Sequence, residues 1–439
     1  MTIDTLEDAA ASNRPRRGPT PGVVVVFTAG RATSLSFAVA GDGLILGRSC
    51  PRGASIHDPR MSREHAQVSH GPEGWTVRDL GSRNGTSVNG RLAIGPATCA
   101  DPPVVRFGRS VALLVADVVP FAAALPMRGP DFVSGPTLRA ALVEIAAAAA
   151  DGKDLLISGE SGSGKEIGAR HFHRAGSRAT GPFIAINCAA IPSGIAERLL
   201  FGTVKGAYSG ASAEARGYVR SAGGGVLFLD EFGELDLEVQ AKLLRVIETK
   251  EALPVGASRG FEVDVAFCLA TNRDLRAAVA DGKFRSDLYY RVTQSQVVLP
   301  PLRERREEIP WLIELAAESE APGLEVDAQL VEECILRPWP GNVRELLGEI
   351  RRIARHACAQ SVPIQSNLLA PQVGLNVEQK VNPAPKERTP VTARAVEQAL
   401  REALSVSAAA RALGIHRSHL YRLIRQFNIN PPSPSSSRE

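Results

Sequence analysis

A short apolar run, Leu155-Leu156-Ile157-Ser158, passes directly into Gly159-Glu160-Ser161-Gly162-Ser163-Gly164-Lys165, and helix-compatible sequence follows. The run reads as a buried parallel strand. Strand, glycine-rich turn and helix in that order make a phosphate-binding loop. The glycines let backbone N–H groups crowd around phosphates, the helix N-terminus adds its dipole, and Lys165 reaches the outer phosphates. The general motif ends in Ser or Thr, a magnesium ligand, whereas Glu166 stands here. A glycine-rich turn without ligand is the bland alternative. The strand before it and a second motif after it count against that.

The second motif is Val226-Leu227-Phe228-Leu229-Asp230-Glu231. Its apolar residues predict a central strand, with two carboxylates at the C-terminal end, where open α/β sheets bind ligands. Asp230 is expected to hold Mg2+, directly or through water, and Glu231 to polarise the water that attacks the γ-phosphate of ATP. An Asp-Glu pair is by itself as often a solvated strand end. Beside a phosphate-binding loop, the catalytic reading is favoured.

Between the two motifs lies Gly206-Ala207-Tyr208-Ser209-Gly210-Ala211, which ATP hydrolysis does not require. It resembles the Gly-Ala-Phe-Thr-Gly-Ala loop of the sigma-54-dependent transcriptional activators (bacterial enhancer-binding proteins), which touches the sigma factor. Tyr208 keeps the ring and Ser209 the hydroxyl. The resemblance spans about residues 133 to 372 and implies an AAA+ ATPase: an α/β core over 133–303 and a helical lid over 304–372. It implies that Gly159, Glu160, Ser161, Gly162, Ser163, Gly164, Lys165 and Glu166 bind ATP, Glu166 being common in the family. Asn187 matches the residue held to restrain the catalytic Glu. Phe284-Arg285-Ser286-Asp287-Leu288-Tyr289-Tyr290-Arg291 resembles the arginine-finger segment, with Arg285 and Arg291 acting on a neighbouring subunit. Ala270-Thr271-Asn272 resembles sensor I. Trp339-Pro340-Gly341-Asn342-Val343-Arg344-Glu345-Leu346 resembles the lid motif, with Arg344 as sensor II. Leu299-Pro300-Pro301-Leu302-Arg303-Glu304-Arg305 marks the join of core and lid. Each arginine alone would be a surface ion-pair residue; their order makes the joint match specific. One departure stands out. The family's Glu-Leu-Phe-Gly-His-Glu is here Leu199-Leu200-Phe201-Gly202-Thr203-Val204, so two carboxylates and an imidazole are missing at the base of the sigma-contacting loop.

Residues 22–118 contain short β-type runs between turn signals: Val23 to Phe27, Ser34 to Ala40, Leu44 to Leu46, Trp75 to Val77 and Val111 to Val115. That pattern predicts a β-sandwich. Gly47-Arg48, Ser62-Arg63-Glu64-His65, Ser82-Arg83-Asn84-Gly85-Thr86 and Val88-Asn89-Gly90 resemble the forkhead-associated (FHA) domain, a phosphothreonine-peptide reader. Arg48, Ser62, Arg63 and Asn84 are the expected peptide contacts, since charged and hydroxyl donors suit an anion and an amide suits an extended backbone. His65 is expected to brace the loop, and Gly85 and Gly90 to serve turns.

After a Pro- and Asn-containing linker, 373–391, helical periodicity returns at Val396, Leu400 and Leu404. A tight turn at Gly414 and a second helix to Phe427 complete a helix-turn-helix pattern over 392–430. It resembles the all-α Fis-type DNA-binding module. Arg388 to Asn430 holds seven arginines against two glutamates, net +5, which exceeds the +4 of the whole chain. The basic excess therefore lies where phosphates would be met. His416, Arg417, Ser418, His419 and Arg422 are the expected base-edge and backbone contacts. The competing reading is a basic hairpin used for dimer packing.

The six scattered cysteines include no Cys-x-x-Cys pair, which suggests reduced thiols and a cytoplasmic location. Cys188 and Cys268 sit in apolar runs, as packing residues do. Residues 1–21 read as a disordered arm and not a signal peptide, and 431–439 as a disordered tail. Ala140 to Ala150 is broken by Glu144 and too short to span a bilayer. It reads as a helix beside the phosphate loop. The expectation is a multidomain regulator without membrane association. It would use ATP and Mg2+, form a homo-oligomeric ring (a hexamer), bind enhancer DNA and remodel the sigma-54 RNA polymerase holoenzyme. With an FHA domain and no receiver domain, Ser/Thr phosphorylation is the implied input. The alternative is a phosphopeptide-responsive DNA-binding repressor or scaffold whose ATPase no longer drives sigma-54.

Overall fold

The computed structural model describes residues 18–50, 53–122, 126–129, 132–192, 194–207 and 213–376, with isolated positions between 393 and 427. Eleven strands form the N-terminal sandwich: β1 Gly22–Thr28, β2 Arg31–Ala38, β3 Leu44–Gly47, β4 Ala54–Ser55, β5 Ala66–Gly71, β6 Gly74–Asp79, β7 Thr86–Val88, β8 Arg91–Leu92, β9 Ala97–Cys99, β10 Val104–Phe107 and β11 Ser110–Val115. One sheet runs β2-β1-β11-β10-β7-β8 and the other β4-β3-β5-β6-β9. Val23, Val25, Leu46, Val68, Trp75 and Phe107 fill the space between them. The four consecutive valines of β1 are at most 1% exposed. Side chains alternate along a strand, so Val23 and Val25 face the sandwich interior, while Val24 and Val26 join a second core shared with the C-terminal lid. A strand buried on both faces needs an unbroken apolar run.

Helix α1 (Val119–Ala122) and strands β12 (Met127–Arg128) and β13 (Val133–Ser134) precede the α/β core. That core holds α2 Pro136–Ala150, β14 Leu155–Ser158, α3 Lys165–Ala175, β15 Phe183–Asn187, α4 Ala196–Phe201, α5 Tyr218–Ser221, β16 Val226–Asp230 and α6 Leu237–Thr249. It continues with a hairpin of β17 (Glu251–Ala252) and β18 (Phe261–Glu262), then β19 Ala266–Thr271, α7 Leu275–Ala280, α8 Ser286–Val292 and β20 Gln296–Val298. The sheet order is β15-β16-β19-β14-β20, parallel throughout. Asn187 pairs with Asp230 and Ser158 with Thr271 in register, which gathers four strand ends along one edge. Local chemistry sets the helix starts: the Asp236 carboxylate accepts the Val239 N–H at 2.9 Å at the head of α6. Helix α2 packs on α3, beside the loop as the alanine run implied.

The lid is α9 Ile309–Glu320, α10 Ala328–Leu336 and α11 Asn342–Gln360. Leu346, Ile350, Ile353, Ala354 and Ala357 make the buried stripe of α11, spaced as one face of a helix requires. In the C-terminal unit, considered by itself, Ala399, Leu400, Ala409, Leu420 and Ile424 are helical and buried. The DNA-contact residues His416, Arg417, Ser418, His419 and Arg422 lie outside the described residues, as do most of the linker, the first seventeen residues and the tail. Among the described residues no helix is long and apolar enough to cross a membrane. All six cysteines are free, and Cys188 and Cys268 are buried as packing residues.

Candidate functional site

The phosphate loop leaves β14 and enters α3 through two left-handed glycines, Gly162 (φ 73°) and Gly164 (φ 105°). A Cβ on Gly162 would also come within 2.3 Å of the Gly341 carbonyl oxygen, so this position carries both constraints. Lys165 is only 7% exposed. Its Nζ donates to the carbonyls of Gly159 (3.1 Å) and Glu160 (3.4 Å) and lies 3.4 Å from Glu231 Oε1. Ser161 to Glu166, Asp230, Glu231 and Arg344 line one cavity with the apolar Phe132, Val133, Leu138, Leu142, Leu312 and Leu347. The Glu166 carboxylate stands at its margin and pairs with Arg170 at 2.7 Å.

Glu231 adopts φ 51°, a left-handed conformation rare for a side-chain-bearing residue. Strain of this kind collects at functional sites. Its carboxylate accepts the Asn272 N–H at 3.1 Å, and its own N–H bonds Asp230 Oδ1 at 3.1 Å. Burial, and then the Glu231 charge, push the Asp230 carboxyl above its usual range. Cys188, close by, is pushed up to about 12 by burial with help from both carboxylates, so its thiol stays neutral. Two half-buried carboxylates side by side favour a shared cation. Among the described residues no group of three or more His, Cys, Asp or Glu side chains could hold a metal. The carboxylate oxygens of Asp230 and Glu231 beside the phosphate loop are donors of the kind magnesium takes.

The sequence named Asn187, Thr271, Asn272 and Arg344; the sheet brings the first three to one edge, and α11 of the lid carries Arg344 to the same cavity. Asn187 stands beside Asp230, but its side-chain oxygen accepts the Ala189 N–H at 2.9 Å, while Glu231 bonds Asn272 and Lys165. Thr271 is buried and accepts from the Arg273 N–H. Arg344 donates to Ser161 Oγ at 3.2 Å. Arg285 and Arg291 are not brought to the cavity. Arg285 chelates Asp287 (3.1 and 2.7 Å). Arg291 bonds Gln294 beside Lys153, Asp154 and Leu155, at the opposite end of β14 from the phosphate loop.

Residues that sequence reasoning left without a role hold the loop to the lid. Arg303 forks onto Glu160 at 2.8 and 2.7 Å, and its hydrogen bonds hold that carboxyl below its usual range. Asn342 (φ 53°) donates to Glu160 (3.1 Å) and the Ser161 carbonyl (3.0 Å) and accepts from Leu302 N–H (2.8 Å). Buried Arg305 donates to the Ser163 carbonyl (2.6 Å) and to Glu308 (2.9 Å), which accepts from Gly135 N–H (2.7 Å). The signal was present, since Arg303, Arg305 and Asn342 stand inside motifs quoted above. Their partners are in another part of the chain.

In the sandwich, Arg48, Ser62, Arg63 and Asn84 come to one loop cluster. The carbonyl oxygen of Arg63 would lie 1.8 Å from a Cβ on Gly47, so glycine lets β3 and this loop cross. Arg48 N–H bonds the Ser62 carbonyl (2.9 Å), Arg83 N–H bonds Ser62 Oγ (3.1 Å), and Asn84 Nδ2 bonds the Arg60 carbonyl (2.5 Å). His65 is fully buried. Its Nδ1 accepts the Ser62 N–H (3.1 Å), so Nε2 is the protonated nitrogen, bonded to the Gly85 carbonyl (3.1 Å). Burial holds its pKa below the usual value. It braces two loops beneath the exposed Arg48, whose guanidinium donates to the Pro59 carbonyl at 3.4 Å, and the exposed Arg63. Of the hexapeptide expected to meet the sigma factor, Gly206 and Ala207 are described, and Tyr208, Ser209, Gly210 and Ala211 lie outside the described residues. Thr203, at its base, pairs with Ala215 and Val255.

Comparison with known proteins matches this geometry. The family model of the sigma-54 interaction domain matches residues 133–298, that of the FHA domain 44–108, and a helix-turn-helix domain 393–430. The Nif-specific regulatory protein of Herbaspirillum seropedicae is 47% identical over 205 residues, covering 46% of this chain and 38% of that protein. The acetoin catabolism regulatory protein of Cupriavidus necator is 40% identical over 296 residues, covering 64% and 44%. The chain thus spans less than half the length of these two curated relatives. Among solved structures, NtrX from Brucella abortus is similar with TM-score 0.52 and 28% identity, covering 68% of this chain and 70% of that one. The same protein in complex with ATP gives TM-score 0.50 at 27% identity, covering 67% and 68%. The chain therefore joins an FHA domain, a P-loop AAA+ sigma-54 interaction domain and a helix-turn-helix domain, the domain set of a sigma-54-dependent transcriptional regulator.

Proposed function

We propose that this chain is an ATP-driven activator that binds enhancer DNA and remodels closed complexes of sigma-54 RNA polymerase. A threonine-phosphorylated partner would provide its input through Arg48, Ser62, Arg63 and Asn84. The observation that carries the catalytic part is the buried Lys165–Glu231 contact at 3.4 Å, beneath a loop of left-handed glycines. Lys165 would draw the outer phosphates of ATP, and the loop's N–H groups would fix them. Glu231, held by the Asn272 N–H, would take the proton of the attacking water. Magnesium, ligated by Asp230, would neutralise phosphate charge. Among the described residues, Lys165 and Arg344 face the loop's cavity, Arg303 and Arg305 near the loop are engaged with Glu160, Ser163 and Glu308, and Arg285 and Arg291 bond elsewhere. That supports a ring in which a neighbouring subunit supplies Arg285 and Arg291.

The repressor or scaffold reading has one observation in its favour. The base of the hexapeptide carries Leu199 and Val204, and the Val204 N–H bonds the Val255 carbonyl at 3.2 Å. Both Leu199 and Val204 stand where the family carries carboxylates. One experiment addresses both readings: sigma-54-dependent open-complex formation by wild type, Glu231→Gln and Ser209→Ala. The activator reading expects Glu231→Gln to bind ATP and lose turnover by about 10²–10⁴-fold, and Ser209→Ala to hydrolyse ATP yet fail to activate. Wild-type hydrolysis without any open complexes would hand the case to the repressor.

A further inference from the structure

The sandwich and the lid share one core, and the Glu332 carboxylate is sealed inside their contact. Glu332, on α10, is 2% exposed. All three of its donors come from the sandwich: Ser87 Oγ at 2.7 Å, Gly90 N–H at 3.1 Å and Arg106 Nε at 2.6 Å. A buried carboxylate is tolerated only when paired and hydrogen-bonded, so Glu332 fixes where α10 meets the sandwich. Arg109–Glu325 and Arg31–Glu314 ion pairs flank it nearer the solvent.

Glu332 stands between the two ligand sites. Ser87 lies in β7, whose first residue, Thr86, donates to Asp79 at 2.6 Å; the same carboxylate holds Ser82 of the peptide loop. Asn84 precedes that strand. On the other side, α10 runs into Trp339, whose Nε1 donates back to the Cys334 carbonyl at 2.6 Å. The chain then turns at Asn342 onto Glu160 and Ser161 of the phosphate loop. Packed cores and bonded turns shift as units.

We infer that Glu332 is a positioning residue that couples the peptide loops of the FHA domain to the nucleotide site, through β7 on one side and α10 with the Trp339–Asn342 turn on the other. The inference rests on the proposed nucleotide and phosphopeptide sites. Coupling between two sites is reciprocal, so nucleotide alone is a sufficient probe. Amide hydrogen exchange would be followed over Ser62–His65 and Arg83–Gly85 in the full chain, with and without a non-hydrolysable ATP analogue and Mg2+. In wild type, nucleotide should change the exchange of both loops. Glu332→Gln, which keeps shape and removes charge, should lose that response while unchanged exchange over β1 and β11 reports an intact sandwich. Arg106→Gln approaches the same bond from the sandwich side and should also lose it, whereas Arg106→Lys should retain it. Loops that respond equally in wild type and Glu332→Gln overturn the coupling, as do wild-type loops that ignore bound nucleotide. A direct binding titration separates these cases from the larger failure: a wild-type chain that does not bind the analogue defeats the nucleotide reading and the coupling with it.

Discussion

The chain has two candidate sites for phosphate, and they are built in opposite ways. The nucleotide site is made of backbone and one buried cation: Lys165 is 7% exposed, and the loop's conformation depends on left-handed glycines. The peptide site is made of exposed side chains on a rigid brace, with buried His65 tying Ser62 to Gly85 beneath solvent-facing Arg48, Arg63 and Asn84. Charges act more strongly where water is excluded, which suits catalysis. An open rim of arginines suits a peptide that must arrive and leave. Removing a charge should therefore be catastrophic in the first site and graded in the second.

The largest effect tests the buried site. Lys165→Ala should abolish ATP binding and hydrolysis, because the half-buried Glu231 carboxylate loses its cation as well as the phosphate losing its donor. Mixed with an Arg291→Ala chain, it should regain some hydrolysis, since one interface then pairs an intact loop with an intact arginine. Hydrolysis assays on mixed oligomers decide this, and no recovery would argue against catalysis across subunits.

The next effect is smaller and belongs to the exposed site. Arg48→Ala should weaken binding of a phosphothreonine peptide to the full chain by about 1.5–3 kcal/mol, the usual worth of a hydrogen bond to a charged group. Calorimetry giving equal affinity for phosphorylated and unphosphorylated peptide would reduce the FHA domain to a structural unit.

The smallest effect concerns the brace. His65 has its pKa lowered by burial from 6.5. The unfolded chain therefore takes up a proton near pH 6.5 that the folded sandwich refuses. Stability is complete above that pH and falls as pH drops from 6.5 toward the folded value. Melting the full chain at a series of pH values below 7 should show a loss on the order of a few °C. His65→Gln should flatten that slope. An equal slope in the variant would assign it to other groups.

Much of this site could be read from sequence because its chemistry is local. Strand, glycines, lysine and helix follow one another, and so do the apolar run and paired carboxylates of β16. In the FHA domain, Gly47-Arg48, Ser62-Arg63 and Asn84 were each legible as turn or anion chemistry. Their joining by His65 was only partly so. The four valines of β1 announced a strand but not its second partner, because an apolar run states that both faces are buried without naming what covers them.

The sequence by itself determined the elements and the chemical types at the strand ends, since these follow from short-range sterics, side-chain periodicity and charge. Only the tertiary structure decided the pairings between distant segments. Ser87 meets Glu332 from 245 positions away, Arg305 meets Ser163 from 142, and Asn342 meets Glu160 from 182. A glutamate in an amphipathic helix reads as a solvated residue until another domain closes over it. Whether such a carboxylate is surface decoration or a buried link depends on which faces pack together, and that is a property of the whole chain's burial.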